Sequence, residues 1–138
     1  MTDRLTLAAI ALWLLGGWHL VQAADDDLQS RILLGEQTFG DNCSKCHQLD
    51  GYGEGGLYPS LHQQSLLTDK TVLIQTIIHG RLAPEQVPGA QPQRLMPALG
   101  FLSDREIAAL VAYLSNSWGD EVIVVTEEEV QTARQGIP

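Results

Sequence analysis

The run Cys43-Ser44-Lys45-Cys46-His47 constrains this chain more than any other feature. Two thiols three positions apart, followed at once by an imidazole, form the C-x-x-C-H pattern of covalent haem attachment. On a single turn of backbone, both cysteines reach the vinyl groups of one porphyrin and become thioethers, and His47 supplies the proximal bond to iron. A chain carrying such a group must build its core around a flat, apolar macrocycle. These are the only two cysteines present. A structural zinc site wants four ligands, usually through a second C-x-x-C or H-x₃₋₅-H pair, and His62 and His79 have no such spacing. An iron–sulfur cluster normally takes four thiolates. A thioredoxin-like dithiol expects a βαβ context, whereas helical periodicity precedes Cys43.

The N-terminus has the form of an export signal. Residues Met1 to Arg4 carry one basic group, Leu5 to Leu15 are apolar, and Val21-Gln22-Ala23 offers small residues for a signal peptidase. Residues 1–23 are therefore expected to be a signal peptide. The rival reading is a retained membrane anchor, because the apolar stretch is long enough to span a bilayer. Gly16, Gly17, His19 and Gln22 dilute its second half and favour cleavage. Export agrees with the haem motif, since bacteria complete thioether attachment outside the cytoplasm, so the expected compartment is the periplasm. Cleavage would leave no stable membrane span.

The net charge of −9 is unchanged when Asp3 and Arg4 leave with the signal. Phosphate contacts need a basic face, so nucleic-acid binding is not expected. An acidic surface suits docking on a basic patch of a redox partner, or serves solubility alone.

From Leu28 the pattern turns helical, through Ile32, Leu33, Gly35, Gln37 and Phe39, and runs into the haem motif. Gly51 to Gly56 is a glycine-rich loop without the G-K-[ST] ending of a phosphate-binding loop. Thr68-Asp69 opens a helix over Lys70 to His79, with Val72, Leu73, Ile74, Ile77 and Ile78 expected to face the core and Gly80 to end it. Arg81 to Leu95 reads as an irregular loop with Pro84, Pro88 and Pro92. Ser103-Asp104-Arg105-Glu106 is a capping box that launches a helix to about Ser117. Val122 to Val125 is β-prone, and a second capping box, Thr126 to Glu129, opens a short helix. The expected organisation is residues 24–118 as one haem domain and residues 119–138 as a tail.

Iron held by one histidine needs a second axial partner unless the position stays open. Met96 is the only methionine besides Met1, and Pro97 biases it toward extended backbone that can present a side chain inward. Its thioether would favour Fe(II) and raise the potential. Against this stands a core methionine filling a gap. His62 and His79 are the rival ligands. A surface role for His62 and a helix-capping role for His79 are the commoner fates.

These residues resemble class I cytochromes c over about residues 28–118. The order is an amphipathic helix, C-x-x-C-H, a proline-containing loop, a middle helix, a Met-Pro loop and a final helix. The resemblance implies an all-α fold in which the N- and C-terminal helices cross around one covalently bound haem c. It places Gly35 and Phe39 against Leu110 and Tyr113, and puts the carbonyl of Pro59 where it accepts the His47 imidazole N–H. The implied cofactor-binding residues are Cys43, Cys46, His47, Met96 and Pro59, with His47 and Met96 as metal ligands. Three strings, residues 77–81, 96–100 and 113–119, resemble haem domains in cytochrome subunits of membrane-bound alcohol dehydrogenases. Those subunits carry three such domains, and this chain carries one.

The expected function is transfer of one electron between periplasmic redox proteins, with a dehydrogenase as donor and an oxidase or another cytochrome as acceptor. No catalytic triad, paired carboxylates or nucleotide loop is visible, so the chain is not expected to be an enzyme. A second possibility is a dedicated subunit of a periplasmic quinoprotein-type dehydrogenase complex, with the tail as its contact. The third is a haem sensor or enzyme with an open sixth site.

Overall fold

A computed structural model describes residues 27–55, 57–62, 64–81 and 96–136. The expected signal, residues 1–23, and most of the irregular loop at Arg81 to Leu95 lie outside them. The chain divides into two units, Met1–Ser30 and Arg31–Pro138. In the first, residues 27–30 are helical. The second is all-helical, with five α-helices among the described residues: α1 (31–42), α2 (Ser44–His47), α3 (Lys70–His79), α4 (Asp104–Trp118) and α5 (Glu127–Arg134). A 3₁₀ turn at Ser65–Thr68 precedes α3. Among the described residues the only β-type pairings are isolated bridges, Glu54 with Tyr58 and Arg81 with Met96.

Local chemistry places the helix ends. The Asp69 side chain accepts from the amides of Thr71 and Val72 at the start of α3, satisfying donors that have no partner within the helix. Gly80 ends α3 at φ 70°, a region that side-chain-bearing residues avoid. Both capping boxes form in full: Ser103 with Glu106 opens α4, and Thr126 with Glu129 opens α5.

The first and last helices of the haem domain approach closely at Gly35, where the nearest atom is backbone. A Cβ on Gly35 would strike the Ala109 carbonyl oxygen and lie 2.6 Å from Tyr113 Cβ. Leu110, expected on the same face, is fully buried in the core cluster that holds Phe39. Phe39 fills the space beyond, its ring 5.5 Å from Tyr113 and 5.1 Å from Trp118. On α3, Leu73, Ile74, Ile77 and Ile78 are buried as expected, but Val72 is 47% exposed. At 100° per residue it falls off the stripe made by the two i, i+4 pairs. Leu33 on α1 is also exposed, at 50%.

The chain beyond Trp118 is built into the same core. Val125 and Val130 are fully buried and Ala133 nearly so. Residues 122–126 form no strand, because side chains take their backbone groups. The Ile123 amide donates to Ser115 Oγ at 2.8 Å, and the Val125 carbonyl accepts from Arg31 Nη1 at 2.9 Å. From there α5 packs on α3 and α4.

Gly35→Ala should lower stability by about 2 kcal/mol. Overpacking against fixed backbone costs roughly 1–3 kcal/mol or more and outweighs the ~1 kcal/mol gained in helix propensity. Denaturant unfolding of the variant against the parent measures this, and a stabilised variant would refute the close approach.

The capping boxes also predict a pH response. Hydrogen bonds from Ser103 hold the Glu106 carboxyl below its ordinary range, and Lys70 with Thr126 does the same for Glu129. A lowered folded-state value means the stabilisation is present above the unfolded-state value and is lost as pH falls through the folded-state one. Both groups are solvent-screened, so Glu129→Gln should cost under about 1 kcal/mol at pH 7. The difference from the parent should shrink as pH falls below the ordinary carboxylate range, as read by thermal unfolding across pH.

Candidate functional site

The haem motif sits where α1 runs out. The Cys43 amide bonds the Phe39 carbonyl at 2.8 Å, and the His47 amide bonds the Cys43 carbonyl at 3.0 Å, so the five residues stay on one continuous spiral. Gln48 then takes φ 61° and turns the chain away. Residues 48–55 and 57–61 fold back beneath it, with the Gly53 amide on the His47 carbonyl at 2.9 Å and the Leu61 amide on the Gly51 carbonyl at 2.8 Å.

Two glycines make this return possible. Gly53, at φ 68°, lies so close to the chain coming back that a Cβ would sit 2.6 Å from the Tyr58 carbonyl oxygen. Gly51, at φ 74°, lies flat against the indole of Trp118, where a Cβ would come within 2.6 Å of Cζ2. The result brings Pro59 to the motif, with its carbonyl oxygen 3.1 Å from His47 Nδ1. A carbonyl only accepts, so Nδ1 carries the proton and Nε2 is left with its lone pair. Burial pushes the His47 pKa down, against the opposing pull of the Pro59 carbonyl, and the neutral form is the one that binds metal.

Cys43, Cys46 and His47 open onto a cavity of about 440 Å³, within the range of cofactor pockets, roughly 300–1,000 Å³. Its walls come from α1 (Phe39, Asn42), the return loop (Leu57 to Leu61), the 3₁₀ turn (Leu66, Leu67), α3 (Leu73, Thr76, Ile77) and α4 (Leu110, Leu114). Met96, Pro97 and Leu99 complete it, with Arg81 also on its wall. Cys43 and Cys46 are both free thiols. Burial pushes the Cys43 thiol up to about 11, with a smaller contribution from Cys46.

Met96 reaches this cavity by backbone pairing. The Arg81 amide donates to the Met96 carbonyl at 3.1 Å, and the Leu99 amide to the Ile77 carbonyl at 3.0 Å. Gly80 permits the approach, since a Cβ there would collide with the Met96 carbonyl oxygen and lie 2.8 Å from the Ala98 amide.

The two rival histidines are placed elsewhere. The His62 ring stacks on Tyr52 at 4.0 Å, its Nε2 lies 2.8 Å from the Asp50 carbonyl oxygen, and it does not line the cavity. His79 is exposed at the end of α3. Sequence reasoning did not single out Asn42, Thr76 or Leu66 as cavity residues. Each lies on the wall through tertiary packing, with no local pattern to mark it.

The donor set fits a c-type haem. Two thiols, an imidazole with a free Nε2 and a thioether converge on one largely apolar cavity, the combination that covalent attachment and axial ligation of haem iron require. Among the described residues no cluster of three or more His, Cys, Asp or Glu side chains could hold a bare metal ion.

Comparison with known proteins points the same way. The family model for Cytochrome c matches residues 32–118. One cytochrome c-552 of Thermus thermophilus is 30% identical over 135 residues, covering 91% of this chain and 84% of its own. A second cytochrome c-552 of Thermus thermophilus is 31% identical over 102 residues, covering 67% and 78%. The cytochrome c subunit of the quinone-type alcohol dehydrogenase of Gluconobacter oxydans is 26% identical over 120 residues, 79% of this chain but 25% of that subunit. With this match and an all-helical fold closing on the C-x-x-C-H motif, the chain belongs to the cytochrome c family: an electron-transfer protein with a covalent c-type haem, for which Cys43 and Cys46 are the attachment thiols.

Proposed function

We propose that this protein is a periplasmic one-electron carrier, not itself an enzyme, whose haem iron is held between His47 and Met96. The observation that carries the proposal is the shared cavity. His47 and Met96 both line it with the attachment cysteines, while His62 is bonded and stacked outside it.

Bound haem supplies a one-electron couple on iron. The protein's residues decide how stable and how accessible that couple is. Pro59 orients the His47 ring through the Nδ1 hydrogen bond, which fixes the tautomer and raises the basicity of Nε2. Cys43 and Cys46 tether the macrocycle in both oxidation states. Met96 offers a soft thioether that favours the reduced metal. The apolar walls exclude water. Among the described residues Arg81 is the one permanently cationic side chain lining the cavity, and it would offer a bound haem a partner for a propionate. Keeping two axial ligands in both states limits rearrangement, as a carrier needs.

Export rests on the signal-like residues 1–23 and on the extracytoplasmic chemistry of thioether attachment. Among the described residues no helix is long and apolar enough to cross a membrane. On this reading residues 24–118 carry the haem and residues 119–138 extend that domain. The donor would be a dehydrogenase, and the acceptor an oxidase or another cytochrome. The similarity to alcohol dehydrogenase cytochrome subunits favours a second reading, in which the chain is the dedicated cytochrome of such a complex. Co-purification with a larger catalytic protein would distinguish a fixed subunit from a free carrier.

Met96→Ala tests the ligand assignment. It should abolish the weak thioether-to-ferric-iron absorption band and admit carbon monoxide to the ferrous protein. The potential should fall by on the order of 0.1 V, a fraction of the ~0.8 V range that axial ligands span. A variant with an unchanged spectrum would remove Met96 from the iron.

A further inference from the structure

Arg134, the last residue of α5, reaches the far end of the segment that carries Met96. Its Nε donates to Asp104 Oδ1 at 2.6 Å, Nη1 donates to the Gly100 carbonyl at 2.5 Å, and Nη2 donates to the Leu102 carbonyl. One planar guanidinium thus joins two loop carbonyls to the first residue of α4. The arrangement is partly shielded, with the Arg134 and Asp104 side chains 26% and 28% exposed.

The segment from Met96 to Leu102 is held in two halves. Backbone bonds from Arg81 and to Ile77 fix Met96 and Leu99 on the α3 side. Beyond Leu99, Arg134 binds the Gly100 and Leu102 carbonyls, alongside the turn bond from the Leu102 amide to the Leu99 carbonyl at 3.0 Å. The guanidinium is delivered by a well-seated element. Val130 and Ala133 are in the core, Gln75 Nε2 donates to the Ala133 carbonyl at 3.0 Å, and Lys70 pairs with Glu129.

We infer that α5, acting through Arg134, clamps the Met96 segment, so that Arg134 is a positioning residue that keeps the sixth coordination site closed. This rests on Met96 being the axial ligand proposed above. A shift of Gly100 to Leu102 would loosen the C-terminal anchor of the Met96 segment, and charge-assisted bonds at this partly shielded site resist it. Arginine suits the role because its rigid fork holds two carbonyls and a carboxylate at once, whereas an ammonium is a single point charge.

The test uses the full, haem-loaded protein and the variants Arg134→Ala and Arg134→Lys. Val111→Ala, which should lose stability from the core at a buried residue that does not line the cavity, is the reference. The readouts are the thioether-to-ferric-iron band and the binding of free imidazole to the ferric protein, with global unfolding measured alongside. Apparent affinity for an added ligand scales with the fraction of molecules whose sixth site is open. Arg134→Ala should therefore bind imidazole about tenfold or more tightly than the parent. Arg134→Lys should fall between them, and it carries the test if Arg134→Ala does not mature. Val111→Ala should bind imidazole as the parent does.

A parent that shows the thioether band while both Arg134 variants bind imidazole like it overturns the clamp alone. So does a gain in Val111→Ala equal to that in Arg134→Ala. A parent without the band overturns the Met96 assignment, and the clamp with it.

Discussion

The haem domain is built outward from the contact between α1 and α4 at Gly35. With no Cβ at that position, the α1 backbone lies against the Ala109 carbonyl and the base of Tyr113. Only at that depth can Phe39, one turn on, seat itself among Tyr113, Trp118 and the cavity wall. The end of α1 is thereby aimed, and with it the thiols of Cys43 and Cys46. A site built at the end of a packed helix is positioned by the core rather than by its own loop.

The aromatic cluster carries that placement into the proximal loop. Trp118, the last residue of α4, touches Phe39 on one side and lies over the Gly51 backbone on the other. His62 and Tyr52 stack outward from it. The loop that brings the Pro59 carbonyl to His47 is therefore braced by the same helix that crosses α1. On the other side of the cavity, Met96 depends on Gly80 and on the backbone pairing of Arg81, both set by the end of α3. Haem attachment, imidazole orientation and thioether presentation thus trace to one three-helix arrangement.

Residues 119–138 change character in this light. In the sequence they read as a tail outside the haem domain, available as a partner contact. Yet Val125 and Val130 are fully buried, and the hydroxyl of Ser115, buried within α4, holds the chain's return through the Ile123 amide. The acidic run Glu127 to Glu129 occupies the first turn of α5, where negative charge is favoured by the helix dipole. What reads as a charged tail is the start of a helix whose other face completes the core.

Much of the fold was legible because its signals are local. The C-x-x-C-H run, the Asp69 and Gly80 boundaries of α3 and both capping boxes each depend on neighbours within a few residues, and a linear chain displays such neighbours directly. The packing of Gly35 and Phe39, by contrast, was implied by the family resemblance. Where the reading went astray, non-local contact had decided the outcome. Val72 and Leu33 are apolar but point outward, and Val122 to Val125 have β-prone side chains but form no strand. The exclusion of His62 from the cavity, the cavity wall at Asn42 and Thr76, and the grip of Arg134 on Gly100 and Leu102 follow from residues far apart in the chain. Haem chemistry and helix placement could be read from the order of residues alone. Which side chains reach the haem cavity, and what holds them there, came from packing, because those contacts exist only once the helices have crossed.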